Sequence, residues 1–243
     1  MVWATDPQGG EPRDPAELAA LSAIQNLQES EKPVPKLVVF DLDYTLWPFW
    51  CECRRKSDNP RLYPEAGQVL SALAAAGIPF AFASRTPTPD IARVFLDKLG
   101  FQMEDGSSFS SESVNSRRSS ARGGNSNAGG NSGSSCSSGD GNGRSLKRVV
   151  RAAEIYPSWS HKTEHFEAIR KRTEIAYSDM LFFDDESRNT REIGSLGVTS
   201  VLVENGVTVD ELKVGLAQFV KKHEEPPTEA ASNRETHKSK HRH

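Results

Sequence analysis

Two carboxylates two residues apart, Asp41 and Asp43, with a hydroxyl two further on at Thr45, close the apolar run Leu37, Val38, Val39, Phe40. Carboxylates that close repel one another unless a cation or a proton compensates, so the pair calls for a bound metal or a raised pKa. Either suits phosphoryl transfer. One carboxylate can attack as nucleophile while its neighbour moves a proton, and hard Mg²⁺ prefers a couple of carboxylates plus phosphate oxygens. Taken alone, Asp-x-Asp-x-Thr fits an Asx turn or a helix cap equally well, so its partners decide. A second acidic group, Asp184, Asp185 and Glu186, follows the apolar run Met180 to Phe183, with Asn189 just beyond. Ser84, Arg85 and Thr86 close a third apolar run, Ile78 to Ala83. Lys162 falls in the first turn of a helical pattern, where a cation opposes the helix dipole; it is either a solvated surface lysine or one with a partner in a site.

Each of these groups stands beside the exit of a strand-like segment. Five such segments (37 to 40, 78 to 83, 149 to 155, 180 to 183 and 199 to 203) alternate with helical patterns near 15–28, 64–77, 88–100, from 162, 188–196 and 208–222. Continuous apolar runs suit strands buried on both faces, and the alternation predicts an α/β fold with a doubly wound parallel sheet and right-handed crossovers. In that topology all strand carboxyl ends share one rim, so Asp41, Asp43, Ser84, Lys162 and Asp185 gather despite their separation in sequence.

The chain of 243 residues accommodates one sizeable domain, 36–222, between an N-terminal extension (1–35) with a possible short helix and a polar C-terminal tail (223–243). Residues 106–145 are dominated by Ser, Gly and Asn and read as a disordered insert, because they offer too little apolar surface to offset ordering entropy. A net charge of -3 gives no electrostatic reason to expect nucleic acid or an anionic membrane as partner. An odd cysteine count (Cys51, Cys53, Cys136), no long apolar run and no basic-then-apolar leader point to a soluble cytoplasmic protein. A lone Cys51-x-Cys53 lacks the second pair a zinc site needs. The aromatic cluster Trp47, Phe49, Trp50 reads as packing, with some lining of a cleft open to it by position.

FDLDYTLWPFW resembles the first motif of haloacid-dehalogenase-type phosphatases, and more narrowly of the magnesium-dependent phosphatase-1 family. The segments Ala83-Ser84-Arg85-Thr86, Lys162-Thr163-Glu164-His165-Phe166 and Phe182-Phe183-Asp184-Asp185-Glu186 carry the same resemblance. It implies a Rossmann-like core, Asp41 as nucleophile and Asp43 as general acid and base. It also implies that Leu42, Ser84, Arg85 and Lys162 contact the substrate, with Thr45, Asp184 and Asn189 behind them. Mg²⁺ would be held by Asp41, the backbone of Asp43 and Asp185, the last chosen over Asp184 because Asn189 lies four residues after it. Arg85 is also open to a surface salt bridge. The short segment after the first motif and the composition of the insert leave room for minimal or no cap domain, hence an open site.

The substrate that the resemblance implies is a phosphorylated small molecule or a phosphoprotein, of phosphotyrosine or sugar-phosphate type. Two rivals remain: a phosphotransferase or mutase on the same fold, and a non-catalytic module that binds partners through the insert.

Overall fold

The computed structural model describes residues 13–110, 148–158 and 162–224. Six strands, β1 (Leu37–Phe40), β2 (Phe80–Ser84), β3 (Phe101–Met103), β4 (Arg148–Ile155), β5 (Met180–Asp184) and β6 (Thr199–Leu202), form one sheet in the order β3-β4-β2-β1-β5-β6. Every neighbouring pair is parallel. The chain moves outward from β1 to β2 and then to β3 and β4, and returns across β1 to β5 and β6. The carboxyl end of β1 therefore lies where the winding reverses, the usual ligand crevice of such sheets.

The helices are α1 (Pro15–Glu29), α2 (Ala66–Ala75), α3 (Pro89–Lys98), α4 (Thr163–Thr173), α5 (Ser187–Ser195) and α6 (Val209–Glu224). Alternate strand residues feed two cores. Val38, Phe40, Phe80, Phe82, Leu181 and Phe183 pack beneath α1, α2, α3 and α6. Leu37, Val39, Ala81, Met180 and Phe182 pack beneath α4 and α5. Burial on both faces explains why these strands read as unbroken apolar runs rather than alternating ones.

Three expectations shift. β3 is absent from the sequence reading because Phe-Gln-Met, three residues directly after the helix-ending Gly100, is too short to carry a strand pattern of its own. Its ladder with β4 makes it a strand, a case of tertiary pairing overriding local pattern. The disordered insert was placed from residue 106, yet Phe109 is fully buried, and Asp97 accepts hydrogen bonds from the backbone N–H groups of Phe109 (2.8 Å) and Ser110 (3.0 Å). The domain thus runs to at least residue 110; 111–147 lie outside the described residues, as do 1–12, 159–161 and 225–243. Helix α1, expected as a possible appendage, is capped by Asp14, whose carboxylate accepts from the Ala16 N–H at 2.8 Å, and it buries Ala20, Leu21 and Ile24 in the core.

The connection from β1 to α2 contains a single 3-10 turn, Cys51–Cys53, and no cap domain. None of the described helices is long and apolar enough to cross a membrane.

Candidate active site

Because the strands are parallel, β1, β2 and β5 deliver Asp41, Ser84 and Asp184 to one rim, and the start of α4 delivers Lys162. Between them lies an open cleft of about 260 Å³ lined by Asp41, Asp43, Ser84, Arg85, Lys162 and Asp185, with Asn189 and Glu186 at its edge. The sequence prediction that these residues converge holds.

Lys162 is the hub. It sits at the cap of α4, where a cation gains nothing from the helix, and its ammonium turns inward to lie 2.5 Å from both Asp41 Oδ1 and Asp184 Oδ2. The residue is only 1% exposed. Burial disfavours its charge, but Asp184 and Asp41 outweigh that and hold its pKa above the ordinary lysine value. Asp41 is pushed well above the carboxylate range, by burial first; Lys162 opposes that and Asp184 adds to it.

Asp184 is saturated. Its Oδ1 accepts from the Glu186 N–H at 2.7 Å and the Asn189 amide at 3.0 Å, and its Oδ2 faces Lys162. Asn189 therefore pairs with Asp184, which removes the spacing argument that singled out Asp185. Asp185 lines the cleft and its pKa is pushed up to about 6, by burial and then by the Asp184 charge. Two carboxylates, Asp41 and Asp184, thus share one buried ammonium, and Asp185 lines the same cleft. The excess negative charge suits a divalent cation. Among the described residues no three acidic, His or Cys side chains converge as a ready-made metal cluster.

Asp43 does not add its side chain to that set. Its Oδ1 accepts from the Trp47 indole N–H at 2.7 Å and its Oδ2 from the Cys51 backbone N–H at 3.2 Å. Burial raises its pKa, against the pull of these donors. The loop that carries it is tight: Leu42 O accepts from the N–H groups of Thr45, Leu46 and Trp47, and Tyr44 takes a left-handed φ of 55°. Leu42, expected at the substrate, buries its side chain in the core and leaves only its backbone for a ligand. Thr45 is fully buried, and its hydroxyl has no partner among the described residues.

Ser84 is buried at the cleft floor, its Oγ accepting from the Thr86 N–H at 3.3 Å. Arg85 lines the cleft, and its guanidinium reaches Asn189 Oδ1 (3.4 Å) and Glu186 (3.9 Å). The aromatic cluster divides, with Trp47 and Phe49 buried and stacked and Trp50 standing 55% exposed at the cleft mouth.

Sequence reasoning passed over His165. Its ring stacks on Tyr156 with centroids 4.1 Å apart, and Nε2 lies 3.0 Å from Ser84 O and 3.1 Å from Tyr156 O. Two carbonyl acceptors require the hydrogen on Nε2, and the ring ties the ends of β2 and β4 together behind the cleft. Burial, and then the Lys162 charge, push its pKa down to about 4. The signal was its place one helical turn after Lys162.

A family model described as acid phosphatase matches residues 33–222. Human magnesium-dependent phosphatase 1 is 32% identical over 203 residues, covering 77% of this chain and 89% of that protein. A HAD-like hydrolase superfamily protein, P8B7.31, of Schizosaccharomyces pombe is 28% identical over 183 residues, 68% of this chain and 83% of that one. Among solved structures, the N-terminal part of protein BF1531 from Bacteroides fragilis, containing a phosphatase domain complexed with Mg, aligns with a TM-score of 0.44 and 14% identity. That alignment covers 85% of this chain but only 43% of the other.

Proposed function

We propose that this chain, which belongs to the acid phosphatase family and its magnesium-dependent phosphatase-1 branch, is a Mg²⁺-dependent phosphomonoesterase that works through an aspartyl-phosphate at Asp41. The single observation that carries the reading is the ammonium of Lys162 held 2.5 Å from Asp41 at the mouth of β1, inside a cleft that Asp43, Ser84 and Asp185 also line.

Asp41 Oδ attacks phosphorus, the P–O bond to the leaving group breaks, and the leaving oxygen takes a proton from the Asp43 carboxyl. A water then attacks phosphorus, Asp43 recovers a proton from it, and the acyl-phosphate bond breaks to release phosphate and Asp41. Lys162, Ser84 and Arg85 orient the phosphoryl oxygens, and positioning with positive charge is what a loose phosphoryl transition state needs. Mg²⁺ fits the donor set of Asp41, Asp185 and the Asp43 carbonyl, and when bound it neutralises charge on the phosphoryl group. Asp184 keeps Lys162 in place, and Asn189 keeps Asp184 in place.

The open cleft, with an exposed Trp50 at its mouth, supports acceptance of phosphorylated small molecules or phosphoprotein side chains of phosphotyrosine or sugar-phosphate type. The test is phosphate release from p-nitrophenyl phosphate with Mg²⁺ and with chelator, followed by a panel of phosphopeptides and sugar phosphates. Turnover that vanishes with chelator and in Asp41→Asn supports the reading; turnover indifferent to both overturns it.

A further inference from the structure

Asp43 is carried by a loop rather than a strand, yet proton transfer demands that its carboxyl be held to within a fraction of an ångström. What holds it is a ring. Trp47 is fully buried, lies parallel to Phe49 at 5.6 Å between centroids, and meets Phe95 edge-on at 6.3 Å. Its backbone closes the same loop: the Tyr44 N–H donates to Trp47 O at 2.8 Å, and Asp43 and Trp47 form an isolated parallel bridge. An indole N–H buried in such a core needs an acceptor, and the acceptor is Asp43 Oδ1 at 2.7 Å.

We infer that Trp47 is a positioning residue for the reaction: its immobile indole N–H fixes the Asp43 carboxyl in the orientation from which it protonates the leaving oxygen. The inference rests on the reading of Asp43 as the proton-transfer group. The Cys51 N–H holds the other carboxylate oxygen, so the plane of the group is set by two donors on opposite oxygens. Each oxygen keeps a second lone pair, which leaves room for the transferable proton. Trp47 does not line the cleft, and it acts only through Asp43.

A positioning role leaves a kinetic signature that loosened packing does not. Leaving groups differ in how much they need protonation: p-nitrophenolate departs readily without it, whereas phenolate gains far more from the acid. The full-length Trp47→Phe protein, which keeps the stacked ring but loses the N–H, is assayed with Mg²⁺ on phenyl phosphate and on p-nitrophenyl phosphate. Values of kcat/KM report the step in which the leaving group departs. The expected result is a loss of about tenfold on phenyl phosphate against less than about twofold on the nitro ester, since a well-placed acid contributes 10²–10⁴-fold and only part of that is lost. The inhibition constant of inorganic phosphate stays at the wild-type value. Equal losses on the two esters, or no loss on either, overturn the inference. Phe49→Leu, which loosens the stack without removing the donor, gives the same ester-selective loss in smaller measure, and a uniform loss there counts against the inference in the same way. Asp43→Asn separates the two layers. If it retains wild-type kcat/KM on phenyl phosphate, the proton-transfer reading falls and the role of Trp47 with it; if it is inactive while Trp47→Phe shows no ester selectivity, only the role of Trp47 falls.

Discussion

Replacing Lys162 with Met removes the charge at the centre of the site while keeping the length of the side chain. In the native protein the ammonium lies 2.5 Å from Asp41 and 2.5 Å from Asp184, at 1% exposure. Among the described residues it is the cation that pairs with the Asp41 carboxylate, so the variant leaves two buried acids facing each other uncompensated. Breaking a buried pair by deleting one partner costs about 3–5 kcal/mol. At about 2–4 °C per kcal/mol for a domain of this size, Tm at pH 7.5 falls by about 6–20 °C. The pH dependence has a definite sign. Burial and mutual repulsion already raise the folded pKa of Asp41, and loss of Lys162 raises it further. A carboxyl whose folded pKa lies above its unfolded value of about 4 is stabilising below that value, and the stability is lost as pH rises through the folded pKa. The deficit of Lys162→Met is therefore smaller at pH 5 than at pH 7.5. Calorimetry of wild type and variant at both pH values, without divalent ions, reads this directly, and Mg²⁺ added at 100 times its Kd returns about 2.7 kcal/mol if the crowded acids bind it. Equal Tm values for the two proteins at pH 7.5, or a deficit that grows on acidification, would refute the reasoning.

Three further outcomes follow from the same contacts. His165 is held neutral with a pKa near 4, so unfolding below pH 6.5 is favoured by proton uptake, and stability is lost as pH falls from 6.5 towards 4. His165→Gln should flatten the stability–pH curve of the wild type by about 3 kcal/mol across that window in urea melts, and an unchanged curve would show that His165 does not titrate in the folded protein as described. Phe109→Ala should destabilise the fold by about 3–5 kcal/mol because the ring is fully buried, whereas a residue of a disordered insert would cost nothing on thermal melting. Gly206 has a φ of 80°, and a Cβ placed there would meet the Tyr63 ring at 2.2 Å. Gly206→Ala should therefore cost about 2–4 kcal/mol, and Tyr63→Ala in the same chain should recover the steric part of the loss, with denaturant melts as the readout.

The site was legible where chemistry and topology coincide. Asp41, Asp43 and Ser84 follow apolar runs whose burial on both faces leaves no place for polar atoms except at the strand end, so their convergence could be read from the pattern alone. Lys162 announced itself by standing against a helix dipole. What escaped reading lies in contacts that only folding creates. Trp47 looks like any core aromatic until its N–H is seen to need Asp43 as acceptor, and His165 looks like a helix residue until two strand-end carbonyls are seen to share its hydrogen. Asn189 was expected four residues beyond its partner, but the first turn of α5 brings its amide to Asp184, five residues back. β3 and Phe109 were missed because three residues of strand and one aromatic in a Ser-rich stretch carry too little local signal, and their stability comes from β4 and from the core they enter.

The central claim is that the Asp41 carboxylate carries the phosphoryl group during turnover. Single-turnover reaction with a ³²P-labelled phosphomonoester and Mg²⁺, quenched in acid and reduced with borohydride, reads it most directly by peptide mass spectrometry. The account predicts label that appears and decays within one turnover, with reduction converting residue 41 to homoserine. Label on any other residue, or phosphate release at full rate with residue 41 never modified, would contradict it.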